Sequence, residues 1–220
     1  MMKLHRVAVG LLLASGLLAA KLGIAQANTQ ASPAINAETL RPLLNSERIT
    51  LKFGSYGIKV VQNGEKIRVS NLYSESDNKQ TTRTLAVVVY PEMVAPAFKQ
   101  EHQQIVAGGS IGATFKKSGW KINKQHTYFG EIAASPKLSQ LYQLMGGIKP
   151  TGLAMHLYQL NVSKEGNQFH YATIAEVHHP AYLTSKDLQA IYKDQYQQLQ
   201  KQSNTINVIL NTVKEKLASL

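Results

Sequence analysis

The sequence predicts an α+β protein: an antiparallel sheet of about six or seven strands, with helices packed on one face and a C-terminal helical region. Three observations predict it. Period-2 apolar segments are joined by hairpin signals, and the elements run strands, helix, strand, helix, hairpin, helix. Regular strand–helix alternation, the mark of a doubly wound parallel sheet, is missing.

Taken in order, Ile49, Leu51 and Phe53 alternate with Thr50 and Lys52, a half-buried strand by pattern. Gly54 to Gly57 interrupts it and Ile58 to Val61 resumes. Asn63-Gly64 then marks a hairpin, because both residues tolerate positive φ, and Ile67 to Val69 returns. Glu75 to Gln80 reads as a polar loop. The continuous run Leu85 to Val89 predicts a strand buried on both faces.

Pro91 ends that strand, and Glu92 to Val106 reads as a helix with Val94, Phe98 and Ile105 on one side. Gly108-Gly109-Ser110 breaks it before a second helical piece, Ile111 to Lys117. Lys121 to Ile132 is β-like. Ser135 as cap and Pro136 in the first turn open a short helix that ends at Gly146-Gly147. Leu153 to Val162 and Gln168 to His178 form a second hairpin. Ser185 caps a final helical region, broken near Ser203 to Thr205. Its apolar stripe through Ile206, Ile209, Val213 and Leu220 predicts either a docked helix or self-association through 206–220.

Composition bounds the chemistry. With 44% apolar and 17% charged residues, the chain is globular rather than disordered. The absence of cysteine excludes disulfides, thiolate zinc sites, iron–sulfur ligation and a thiol nucleophile. Lys3 and Arg6, the uncharged stretch Val7 to Ala20 and the small-residue sequence Ala25-Gln26-Ala27 make a three-part leader. Its 14-residue apolar run is shorter than the ~20 residues a membrane-spanning helix needs. Cleavage is expected after Ala27 and the destination is the periplasm. The domain plan is therefore a signal peptide at 1–27, a flexible N-terminal arm at 28–45 and one α+β domain at 46–220, helical from 185. No later segment is apolar for long enough to span a membrane. Leader removal takes three basic residues and no acid, so the formal charge falls from +11 to +8. Anionic lipid, polysaccharide or an acidic protein are the expected partners; no nucleic-acid-binding motif is present.

Three constellations carry chemistry. Gly108-Gly109-Ser110-Ile111-Gly112 satisfies G-x-S-x-G, which serves a nucleophilic serine only where a strand enters and a helix leaves. Here a helix precedes Ser110, and the residues also suit a close crossing of backbone elements. On a strand, Glu176 and His178 share one face while His179 points to the other. A tight turn at Glu165-Gly166 pairs Met155 with Glu176 and puts His156 on the opposite face. A one-residue register shift brings His156, Glu176 and His178 together, as two metal ligands or an acid–base pair. Finally, Lys116, Lys117, Trp120, Lys121 and Lys124 form a basic stretch around the single tryptophan, suited to an anionic headgroup. The leading expectation is a non-catalytic, cofactor-free binding or accessory module with no assigned metal, using this lysine patch. The alternative is a hydrolase or metal-dependent enzyme using Ser110 or Glu176 and His178.

Overall fold

Strands β1 (Gly57–Asn63), β2 (Ile67–Ser76), β3 (Lys79–Val89), β4 (Lys121–Ile132), β5 (Leu153–Lys164) and β6 (Asn167–His178) pair in one antiparallel sheet. The spatial order is β1-β2-β3-β6-β5-β4, so two three-stranded meanders meet along β3 and β6. This computed structural model describes residues 36–199 and 207–220. The leader, the arm up to residue 35, the break at 203–205 and Ile206 lie outside the described residues.

The helices are α1 (Ala37–Leu40), α2 (Asn45–Phe53), α3 (Lys99–Val106), α4 (Ile111–Lys117), α5 (Ser139–Leu144), α6 (Ser185–Ile191), α7 (Lys193–Leu199) and α8 (Asn207–Ala218). Six antiparallel strands with packed helices agree with the α+β class. The expected one-face packing describes α2, α3, α4 and α6, whose Ile49, Ile105, Phe115 and Leu188 meet Leu72, Ala86, Val88 and Ile174. On the other face, α5 and α8 bring Leu141, Val213 and Leu217 onto Val69, Val87, Leu157 and Ala175. Both faces need cover because the run Leu85 to Val88 is buried on both sides. The apolar stripe of α8 is thus buried on its own sheet, the docked alternative for this helix.

Two segments depart from the local pattern. The expected strand at Ile49 to Phe53 is the helix α2. Glu47 reaches back to the Leu44 N–H at 2.6 Å, and Gly54 closes the last turn at φ 76° with its N–H on Thr50 O. Helical spacing then buries Asn45, Arg48 and Ile49 together and leaves Leu51 49% exposed. Caps and tertiary burial override the period-2 pattern. The polar loop expected at 75–80 is a two-residue turn, Asp77-Asn78, with φ of 51° and 59°, and the strands run up to it.

Residues 36–45, placed in the arm by the sequence, carry the helix α1 and contacts to the domain. From Asn36 to Asn45 the chain is tied down by the buried Arg48, whose Nε donates to Leu40 O at 2.7 Å and whose Nη2 donates to Arg41 O at 3.1 Å. Arg41 in turn donates to Ile191 O at 2.8 Å.

Candidate functional site

A single irregularity in the β5–β6 hairpin builds the site. Near its turn the register follows the expected pairing, with Lys164 opposite Asn167 and Asn161 opposite His170. Leu160 then pairs with Ala172, so Tyr171 is an extra residue on β6. Such a bulge moves everything beyond it to the other face. His156 consequently lies opposite Glu176 instead of on the far side, and His178 follows two residues later on the same face. The expectation that Met155 faces Glu176 is corrected by this bulge; Met155 pairs with Val177. Tyr171 is held by its own ring, packed at 4.8 Å on Phe115 and 5.4 Å on Phe98, with its hydroxyl 3.1 Å from His102 Nδ1.

The three side chains form one buried chain of contacts. Tyr158 donates to Glu176 Oε1 at 3.1 Å. Glu176 Oε2 lies 3.3 Å from His156 Nε2, and His156 Nδ1 lies 3.2 Å from His178 Nε2. His178 Nδ1 meets Thr84 Oγ1 at 3.0 Å across the β3–β6 pairing. His156 and His178 are fully buried and Glu176 is 4% exposed. The rings stack: His156 lies 5.1 Å from Tyr158 and 5.3 Å from His178, both near parallel.

Electrostatics set the protonation states. Burial pushes His156 well below the usual imidazole range and His178 down to about 4. Burial works to raise Glu176, but Lys124, Arg48 and the Tyr158 hydrogen bond outweigh it and hold the carboxyl below its usual range. Burial and Glu176 keep the Tyr158 phenol protonated. A neutral imidazole beside a carboxylate makes the 3.3 Å contact something other than an ion pair. His156 Nε2 and Glu176 Oε2 in fact have no hydrogen-bond partner, although both atoms are buried. Leaving a buried polar group unpaired costs about 1–3 kcal/mol, so the pair is a marked feature of the fold. The donor set of two neutral imidazoles and one carboxylate is one that holds zinc-class metals. Its ligand atoms all lie within 4.8 Å of one another.

The other residues singled out by sequence are dispersed. Ser110 is the N-cap of α4, follows α3 rather than a strand, and makes no capping bond. A Cβ at Gly112 would stand 2.8 Å from Leu44 Cδ1, so the small residues permit close approach of α4 to α2. Arg68 fixes this crossing from the sheet, donating to Ile105 O at 2.6 Å and Gly109 O at 3.0 Å. Ser110 and Glu176 line one cavity of about 80 Å³ beside the sheet, with Tyr56, Lys124 and Tyr158; no histidine lines it. The serine therefore lacks the imidazole a hydrolase relay needs.

The five residues of the basic stretch do not share a surface. Lys116 pairs with Glu47 at 2.7 Å. Trp120 is 7% exposed, its Nε1 donating to Glu101 at 3.1 Å and its ring inside the aromatic cluster of Phe98, Phe115 and Phe169. Lys117 and Lys121 are exposed. Lys124 faces the opposite side of β4 from Lys121 and lies 4.4 Å from the Tyr158 ring. His179 is structural: Nε2–H donates to Met145 O at 3.0 Å and Nδ1 accepts from the Ala181 N–H at 2.9 Å. Thr84, Tyr158, Arg48 and His126 belong to the site's surroundings and carry no local sequence signal. His126 stacks on Phe129 at 5.2 Å and is pushed by burial down to about 4.

Comparison of the chain with protein-family models gives no match, and no curated protein is significantly similar to it. Among the described residues, no helix is long and apolar enough to cross a membrane.

Proposed function

We propose that the protein is exported to the periplasm, loses residues 1–27, and acts there as a non-catalytic binding module for an anionic envelope component. The observation that supports this reading most directly is the cavity at the sheet. Its walls are largely apolar, from Ile58, Leu72, Val88, Ile122, Leu160 and Ile174; Lys124 and Arg68 supply cations against the single carboxylate of Glu176, and Ser46, Ser110 and Tyr158 supply hydroxyls. Mostly apolar walls with a few convergent polar groups are the ordinary lining of a ligand pocket, and at about 80 Å³ this one admits only a small group such as part of a headgroup. The cationic balance of the chain, +8 after leader removal, favours an anionic headgroup or sugar acid as the occupant. This reading replaces the five-residue lysine patch by Lys124 alone, because Lys116 is paired and Trp120 is buried.

Two measurements test it. Mass spectrometry of the protein isolated from a periplasmic fraction should find Asn28 at the N-terminus; a cytosolic chain retaining Met1 refutes export. Co-sedimentation with phosphatidylglycerol vesicles should weaken at high salt and on Lys124→Gln, but not on Lys121→Gln. Equal binding to neutral phosphatidylcholine vesicles, indifferent to Lys124→Gln, refutes the ligand class. The enzyme alternative retains one supporting observation, the convergence of His156, Glu176 and His178.

A further inference from the structure

We propose that His156, Glu176 and His178 form a binding site for one divalent transition-metal ion of the zinc class. The two histidines lie outside the cavity assigned to the envelope ligand, and Glu176 is the one proposed ligand that the two sites share. It rests first on placement. The three ligands come from two adjacent inner strands, on one face of the sheet, with their ligand atoms within 4.8 Å of one another. Two ligands bound at about 2.0–2.1 Å to one tetrahedral ion stand roughly 3.3–3.4 Å apart. Glu176 Oε2 and His156 Nε2 stand 3.3 Å apart, which matches that edge. His178 Nε2 meets the other ring nitrogen, His156 Nδ1, at 3.2 Å, and its ring must swing off that contact to complete the set, whose ligand atoms lie within 4.8 Å of one another.

The second support is the unpaired state of the inward atoms. His156 Nε2 and Glu176 Oε2 are buried, face each other and lack hydrogen-bond partners. A cation between them satisfies both. The outer atoms, in contrast, are engaged. Thr84 Oγ1 holds His178 Nδ1 at 3.0 Å, so its ligand atom is Nε2, which exchanges the contact with His156 Nδ1 for the ion, and Tyr158 holds Glu176 Oε1 at 3.1 Å, which leaves Oε2. Metal-bound histidines and carboxylates characteristically have such outer partners, which fix the tautomer and the ligand's orientation. Imidazole and carboxylate without thiolate select zinc, cobalt or nickel over calcium and magnesium. Glu176 also lines the cavity, so an ion has a route to its carboxylate.

The rival arrangement is a metal-free hydrogen-bonded chain, Thr84 to His178 to His156 to Glu176, and one experiment separates the two. Full-length mature protein, treated with chelator and dialysed, is titrated with Co²⁺ and read by its visible d–d absorption, then challenged with Zn²⁺. The site predicts one Co²⁺ per chain with a four-coordinate spectrum, displaced by Zn²⁺, and a melting temperature raised by Zn²⁺. Glu176→Gln, which keeps the shape and the Tyr158 partner, should weaken Co²⁺ binding at least about 100-fold. Thr84→Val, which touches only the outer partner, should weaken it about 10–100-fold. His170→Gln, on an exposed ring across the bulge from the site, should leave it unchanged. A natively folded protein with no cobalt spectrum and no thermal response to Zn²⁺ overturns the proposal. So does binding that survives both Glu176→Gln and Thr84→Val undiminished, or that His170→Gln abolishes.

Discussion

Replacing Arg48 by methionine tests how the N-terminal turn is attached to the domain. Arg48 is buried, and its guanidinium makes three hydrogen bonds: to Leu40 O, to Arg41 O and, at 2.7 Å, to the Tyr192 hydroxyl. No carboxylate lies within ion-pair distance of it among the described residues. Methionine restores most of the stem's volume and removes all three donors. The buried tyrosine oxygen is left unpaired, at a cost of about 1–3 kcal/mol, while the two part-buried carbonyls lose about 0.5–1 kcal/mol each because water reaches them. The expected loss is therefore about 2–5 kcal/mol, moderated because a lone guanidinium need no longer be desolvated. With a urea slope near 2 kcal/mol/M, the unfolding midpoint falls by about 1–2.5 M. Hydrogen exchange should also lose protection selectively in α1 and around Tyr192. A midpoint within about 0.3 M of the parent, with α1 protection intact, refutes the assignment of Arg48 as the tie.

Two further outcomes follow from the same structure. Leu141→Ala removes a fully buried side chain from the α5 layer and should cost about 2–5 kcal/mol in urea unfolding; a loss below 1 kcal/mol means that α5 is not packed as described. For chelator-treated protein, His178 takes up a proton near pH 4 when folded and near 6.5 when unfolded. Since the unfolded chain binds the proton first, this group's stability contribution is present above pH 6.5 and falls as pH drops. The loss is about 2 kcal/mol at pH 5, levelling near 3 kcal/mol below pH 4. The difference between the parent and His178→Gln across pH 4–7 checks it, and a pH-independent difference refutes it.

The long elements were legible in the sequence because their signals are local. β4 matches the expected Lys121 to Ile132, and the two helical pieces around Ser110 fall where Gly108 and Gly109 separate them. The helix α2 was not, because three alternating apolar residues fit period 2 as well as the Ile49–Phe53 spacing fits a helix; Glu47 and Gly54 decide it through caps. The site was half legible. Glu176 and His178 share a face by parity alone, but His156 joins them only through the bulge at Tyr171. What stabilises that bulge is an aromatic cluster assembled from α3, α4 and β6, which no local pattern displays. Thr84 enters through the β3–β6 pairing, across more than ninety residues of chain. The lysine stretch misled for a related reason. Sequence proximity says nothing of which face of β4 each ammonium takes, or that Trp120 turns inward to Glu101.

The seclusion of Trp120 has a practical corollary for anyone following the molecule in solution. As the sole indole in the chain, it provides an intrinsic fluorescence gauge wired to the α3–α4 half, remote in composition from the layer under α5 and α8. Emission from that ring reports whether the aromatic half has opened, while far-ultraviolet dichroism averages the entire sheet. Superimposable melting curves from the two would mark the halves as one cooperative unit; separated curves would reveal a halfway species with one layer intact.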